Sequence, residues 1–70
     1  MAKRAHKIWV RNYFTRHPEH IDGNAEQITF SIMLGLPYDE CEGMYPECEW
    51  DQSMYDEYDG ILAEVERFTR

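Results

Sequence analysis

The sequence predicts a small, mostly α-helical bundle. Three observations support this fold class: an amphipathic pattern over residues 53–69, helix start and stop signals on either side of residues 25–34, and a length of 70 residues, which suffices for one compact domain. With 43% hydrophobic and 14% aromatic residues, the chain is too apolar for a disordered tail. We therefore expect a single domain over residues 1–70.

In the first segment, residues 5–13, three apolar residues have the spacing of one helix face. Ala5, Trp9 and Tyr13 recur at i, i+4 and i+8, which places them on one helix face. Pro18 follows and ends a helix, because the residue before a proline is pushed out of the helical region. These features favour a helix that ends before Pro18.

The middle segment has a predicted helix over residues 25–34. Asn24 followed three residues later by Gln27 forms an N-cap pair. Gly35-Leu36-Pro37 is typical of a helix that ends on a left-handed glycine, with a proline just beyond.

An α+β fold is the alternative for these two segments. Residues 8–15 are rich in the aromatic and β-branched types found in strands. Apolar residues alternate with more polar ones from residue 27 to 36, which is the period-two pattern of a half-buried strand. The alternative is therefore a β-hairpin of residues 7–15 and 27–36, packed on the C-terminal helix.

The last segment predicts an amphipathic helix over residues 53–69. Six apolar side chains gather on one side of the helical wheel and should pack on the first two segments: Met54, Tyr58, Ile61, Leu62, Val65 and Phe68. Five acids gather on the other side: Asp56, Glu57, Asp59, Glu64 and Glu66. Ser53 with Asp56 resembles a capping box, and Arg67 and Arg70 suit the C-terminal end of a helix.

Charge is segregated along the chain. The formal net charge is −7 at pH 7, and the sequence pI is about 4.7. Residues 18–66 hold all fourteen acids and no Lys or Arg, whereas residues 1–17 hold no acid. The basic residues of this N-terminal region are Lys3, Arg4, Lys7, Arg11 and Arg16. The two regions could neutralise each other only in part, so the surplus acids must face solvent or a partner.

Membrane and export signals are weak in this sequence. A membrane span needs about 20 apolar residues, and the best run, residues 28–36, is short and interrupted by Thr29, Ser31 and Gly35. No apolar stretch of the kind found in signal peptides follows the basic N-terminus. We expect a cytoplasmic protein that contacts no membrane, with Cys41 and Cys48 as free thiols.

Metal and catalytic motifs are also weak. His17, His20, Cys41 and Cys48 could form a tetrahedral zinc site, but the cysteines stand farther apart than zinc ligand pairs usually do. Neither an EF-hand loop nor a phosphate-binding glycine loop is present. We expect no cofactor, no metal and no catalysis, with a small zinc-stabilised interaction module as one alternative.

The densest acidic stretch, residues 39–59, is the predicted partner-binding surface. Its members are Asp39, Glu40, Glu42, Tyr45, Glu47, Glu49, Trp50, Asp51, Tyr55, Asp56, Glu57 and Asp59. Duplex DNA carries one negative charge per about 1.7 Å of axis. Carboxylates at a similar density could occupy a basic channel, with the aromatic side chains as anchors. A solvated acidic surface without a partner is the plainer interpretation.

The expected function is therefore a non-catalytic inhibitor that binds a basic, nucleic-acid-binding surface of another protein. A small transcription regulator is an alternative. It would contact phosphates through Lys3, Arg4, Lys7 and Arg11 and stack bases on Trp9 and Tyr13.

In size and acidity the chain resembles the small inhibitors that phages and mobile elements direct against host nucleases. Anti-CRISPR proteins and the uracil-DNA glycosylase inhibitors are examples. Residues 39–59 and the acidic helix face from Asp56 to Glu66 carry the resemblance. It implies a DNA mimic acting on a phage-defence nuclease complex in the host cytoplasm. It implies nothing about the fold, because such inhibitors have many unrelated folds.

Overall fold

The computed structural model describes residues 4–69, which form three α-helices and two short 3₁₀ helices. Helix α1 spans Arg4–Arg16, α2 spans Ala25–Leu34 and α3 spans Gln52–Val65. The 3₁₀ helices are Pro18–Asp22 and Tyr38–Cys41. No strand occurs within this part of the chain, so the mostly α-helical prediction is confirmed and the β-hairpin of residues 7–15 and 27–36 is wrong.

Helix α2 begins and ends where the sequence predicts. The side-chain oxygen of Asn24 accepts a hydrogen bond of 3.0 Å from the backbone amide of Gln27. At the other end Gly35 adopts φ 71°, a left-handed conformation that suits glycine, and its amide donates to the Ser31 carbonyl.

The strand-like alternation in α2 comes from burial on two sides. Residues two positions apart point to nearly opposite sides of a helix. Ile28 packs with α1 and α3 in one hydrophobic cluster, and Phe30 packs with Cys41 and Tyr58 in another. A helix buried on two sides loses the simple helical period, and the sequence pattern then mimics a strand.

Helix α1 ends before Pro18 as predicted, but its buried face differs from the predicted one. Val10, Tyr13 and Phe14 are buried together with His6. Ala5 and Trp9, which were expected to share a face with Tyr13, are exposed. The first cluster therefore contains Val10, Tyr13, Phe14, Ile28, Ile61 and Val65.

Helix α3 begins and ends earlier than predicted. Its N-cap is Asp51, whose Oδ1 accepts from the Met54 amide at 3.0 Å. The hydroxyl of Ser53 also donates to Asp51, at 2.8 Å, so the predicted capping box on Ser53 is wrong. A charged carboxylate is a strong acceptor at the positive end of a helix. After Val65 the chain continues in turns, where Phe68 stacks on Phe14 with ring centroids 5.1 Å apart.

The buried face of α3 is rotated from the predicted one, so that it includes part of the side predicted to be acidic. Tyr58, Ile61 and Val65 are buried as predicted, and Met54 and Leu62 are half-buried. Glu64, which was expected on the solvent side, is only 4% exposed. On the same edge, Glu57 accepts a hydrogen bond of 3.0 Å from Nε2 of His6 in α1. The packing of α1 along this edge explains the rotation. None of the helices within residues 4–69 is long and apolar enough to cross a membrane.

Candidate functional site

The carboxylates lie almost entirely on the surface. All fourteen belong to the described residues, and only Glu57 and Glu64 are not exposed. Between Arg4 and Thr69, the one ion pair of a Lys or Arg side chain joins Arg67 to Glu64 at 3.9 Å. Within residues 4–69, no Lys or Arg of the basic N-terminal region is paired with an acid, so these side chains do not neutralise the acidic region through ion pairs.

The connector, residues 42–51, is attached to the helices by aromatic rings. Trp50 packs against Phe30, Tyr55 and Tyr58, with ring centroids 5.5–6.0 Å apart. The hydroxyl of Tyr55 donates a hydrogen bond to the backbone carbonyl of Glu47. Trp50 and Tyr55 belong to the predicted partner-binding set, but both are half-buried and hold the connector in place.

Beside these anchors the connector forms an apolar groove of about 280 Å³. We call it the connector groove; its lining residues are Phe30, Leu34, Met44, Tyr45, Glu47 and Trp50. Tyr45 is 73% exposed, and Leu34 and Met44 are exposed as well. Leu34 and Met44 were missed at the level of sequence, because only the fold of the connector brings them together with Tyr45. Large exposed apolar side chains with acids at their edge are typical of a protein-binding surface.

Glu47 lines the connector groove and interacts with a second carboxylate, that of Glu49. A hydrogen bond with Glu49 and repulsion by its charge raise the pKa of Glu47 above its usual range. Two like charges held together attract a cation, because a Lys or Arg side chain would relieve their repulsion.

The remaining predicted acids divide into two groups. Asp51 caps α3, and bonds from Ser53 and from the Met54 amide hold its pKa below the usual range. Glu57 is turned towards His6. The others are exposed: Asp39 and Glu40 on the second 3₁₀ helix, Glu42 after it, and Asp56 and Asp59 on the outer side of α3. Asp51, although exposed, and Glu57 thus support the fold, and the other five acids lie at the surface.

Helix α1 presents a basic face. Arg4, Lys7 and Arg11 are exposed and recur at i, i+3 and i+7. Lys3, the fourth predicted contact, lies outside the described residues. Trp9 is 44% exposed, whereas Tyr13 is 4% exposed, and burial raises the pKa of Tyr13 to about 12. The prediction that Tyr13 stacks on bases is wrong, because its ring lies in the core.

The zinc site of two histidines and two cysteines is not assembled. Cys41 is buried, and its thiol donates to the Pro37 carbonyl at 3.6 Å, whereas Cys48 is exposed. A different group forms instead: Glu19 joins His17 and His20. Among residues 4–69 no other three His, Cys, Asp or Glu side chains place ligand atoms within 4.8 Å of one another.

No protein-family model, curated protein or solved structure matches this chain.

Proposed function

We propose that the protein is a non-catalytic binding protein, of the inhibitor type, that occupies a basic nucleic-acid-binding surface of a partner through the connector and the acids around it. One observation carries the proposal. The exposed acids have no Lys or Arg counterion within the described part of the chain, and one of them, Glu47, lines an apolar groove. The partner class is a nucleic-acid-processing complex such as a phage-defence nuclease.

Charge and apolar contact have different roles in this interface. Carboxylates at the density of a nucleic acid attract the Lys and Arg side chains of a basic channel and speed association. Tyr45 and Met44 supply the apolar area that retains the partner, since large buried side chains dominate interface energies. Trp50 and Tyr55 hold the connector in place before binding, which lowers the entropy cost of association.

A pair of charge reversals of equal magnitude tests the proposal. In Glu47→Lys/Glu49→Lys the change falls beside the connector groove, and in the matched control Asp22→Lys/Glu66→Lys it falls on exposed acids outside it. Each immobilised variant is exposed to host lysate, retained proteins are identified by mass spectrometry, and duplex DNA is added as a competitor. We expect the wild type and the control to retain a nucleic-acid-binding protein that the DNA displaces. We expect the Glu47/Glu49 variant to lose it.

Two outcomes contradict the proposal. Equal retention by the two reversed variants would show that only total charge matters. A retained partner that duplex DNA does not displace would show that the acids do not occupy its nucleic-acid site. Tyr45→Ser measures the apolar contribution to partner binding separately from the charge. The ring of Tyr45 is exposed, so removing it should not disturb the core.

The basic face of α1 supports a second candidate, direct nucleic-acid binding. Arg4, Lys7 and Arg11 are exposed, and none forms an ion pair within the described residues. Anisotropy of a labelled duplex measures this activity. If the regulator alternative holds, Arg4→Ala/Lys7→Ala abolishes binding and Glu47→Lys/Glu49→Lys does not. If the proposed function holds, the wild type leaves the duplex unbound.

A further inference from the structure

The side chains of His17, Glu19 and His20, which we call the His-Glu cluster, converge where α1 gives way to the first 3₁₀ helix. Nδ1 of His17 lies 3.6 Å from Oε2 of Glu19, and Nε2 of His20 lies 3.7 Å from the same oxygen. Two donors bound at about 2.0–2.1 Å to a tetrahedral Zn²⁺ stand about 3.3 Å apart. The Glu19 oxygen therefore lies within a few tenths of an ångström of this spacing from a nitrogen of each ring, and all three ligand atoms lie within 4.8 Å of one another.

His20 is held in the orientation that a ligand needs. Its Nδ1 hydrogen-bonds to the hydroxyl of Tyr13 at 2.6 Å, and its ring stacks on Tyr38 at a centroid distance of 4.3 Å. Histidines that bind metals usually donate their second ring N–H to a neighbouring oxygen, which fixes the tautomer. When the Tyr13 oxygen accepts from Nδ1, the lone pair on Nε2 points towards Glu19.

The cluster is also accessible. The side chain of His20 is 19% exposed, that of His17 43% and that of Glu19 64%. All three line a cleft of about 1410 Å³, which Trp9 and Met33 border as well. An ion held here would therefore keep at least one coordination position open towards this cleft.

We propose that His17, Glu19 and His20 form a three-ligand site for a divalent transition metal of the Zn²⁺ class. Imidazole nitrogens suit Zn²⁺, Cu²⁺ and Ni²⁺, whereas Mg²⁺ and Ca²⁺ require oxygen ligands. The bound ion links the first 3₁₀ helix to the end of α1. The site is independent of the connector groove and of the function proposed for it.

Isothermal titration of the full chain with ZnCl₂ tests the site. All titrated proteins carry Cys48→Ser, so that this exposed thiol does not bind the metal, and the protein with this substitution alone is the background. We expect one ion per chain, unaffected by a large excess of Mg²⁺. Glu19→Gln and His17→Gln should each weaken binding about tenfold or more. The matched control is Asp22→Asn, which alters an exposed acid in the same 3₁₀ helix but outside the cluster and should bind as the background does.

A second measurement reports the ligands directly. The ¹⁵N shifts of the His17 and His20 rings should move on Zn²⁺ addition, and circular dichroism checks that each variant is folded. Absence of saturable Zn²⁺ binding overturns the proposal. Equal affinity of Glu19→Gln and the background overturns it too, as does displacement by Mg²⁺, since either result places the ion on the surface acids.

Discussion

Removal of the Glu64 charge should stabilise the protein. Glu64 is 4% exposed, and its only counterion within the described residues is Arg67, whose side chain is 71% exposed and 3.9 Å away. Such a pair contributes at most about 1 kcal/mol. A negative charge near the C-terminal end of a helix costs about 0.3–1 kcal/mol, and burying a carboxylate without a close counterion costs about 1 kcal/mol or more in lost solvation. The Glu64→Gln side chain keeps the size without the charge, so we expect the free energy of unfolding to rise by about 1 kcal/mol.

Thermal and urea unfolding followed by circular dichroism measure this change. For a chain of this size, 1 kcal/mol corresponds to about 4–8 °C in Tm. The matched control is Glu66→Gln, which removes the same charge from an exposed position just beyond α3 and should shift the free energy by less than about 0.5 kcal/mol. Equal effects of the two substitutions would show that Glu64 is as exposed as Glu66 and refute the rotation of α3. A loss of stability in Glu64→Gln alone would show that the carboxylate itself holds the helix.

Three further predictions concern the helix caps and the thiols. Asn24→Ala removes the α2 cap and should lower the free energy of unfolding by about 1 kcal/mol in urea titrations. The pKa of Asp51 is lower in the folded state than in the unfolded state, so its ionised form stabilises the fold. This contribution is complete above the unfolded pKa of about 3.9 and is lost as the pH falls through the lower folded pKa. Urea midpoints should therefore fall less steeply on acidification in Asp51→Asn. Burial raises the pKa of the Cys41 thiol, so iodoacetamide should alkylate exposed Cys48 in the native protein and Cys41 only after unfolding, as mass spectrometry would show.

The capping residues of α2 predicted correctly where this helix begins and ends. The spacing of its apolar residues, in contrast, suggested a strand. The Asn24 side chain and the left-handed Gly35 act within a few residues, so their effect is visible in sequence. Burial depends on elements distant in the chain, and Ile28 and Phe30 face two different clusters. At α3 the cap was predicted on Ser53, but Asp51 takes this place two residues earlier, because its carboxylate is the stronger acceptor at the positive end of the helix.

The candidate site was predictable as a charge distribution and not as a shape. The position of the acids follows from the sequence, because charged side chains rarely lose contact with water. The connector groove does not, since Leu34 ends α2 and Tyr45 lies in the connector. The His-Glu cluster was visible in sequence only as the pair of His17 and His20. Glu19 joins it because the fold brings its Oε2 to 3.6 and 3.7 Å from a nitrogen of each ring.

The order of the connector supports the proposed binding role of its acids, as distinct from a role in solubility alone. Solubility requires only net charge, which a mobile loop supplies equally well. Here Trp50 packs on the rings of α2 and α3, and the Tyr55 hydroxyl holds the backbone at Glu47. Within this connector, a hydrogen bond with Glu49 and repulsion by its charge raise the pKa of Glu47. Under the proposed function, a Lys or Arg side chain of the partner would relieve the repulsion between these two carboxylates.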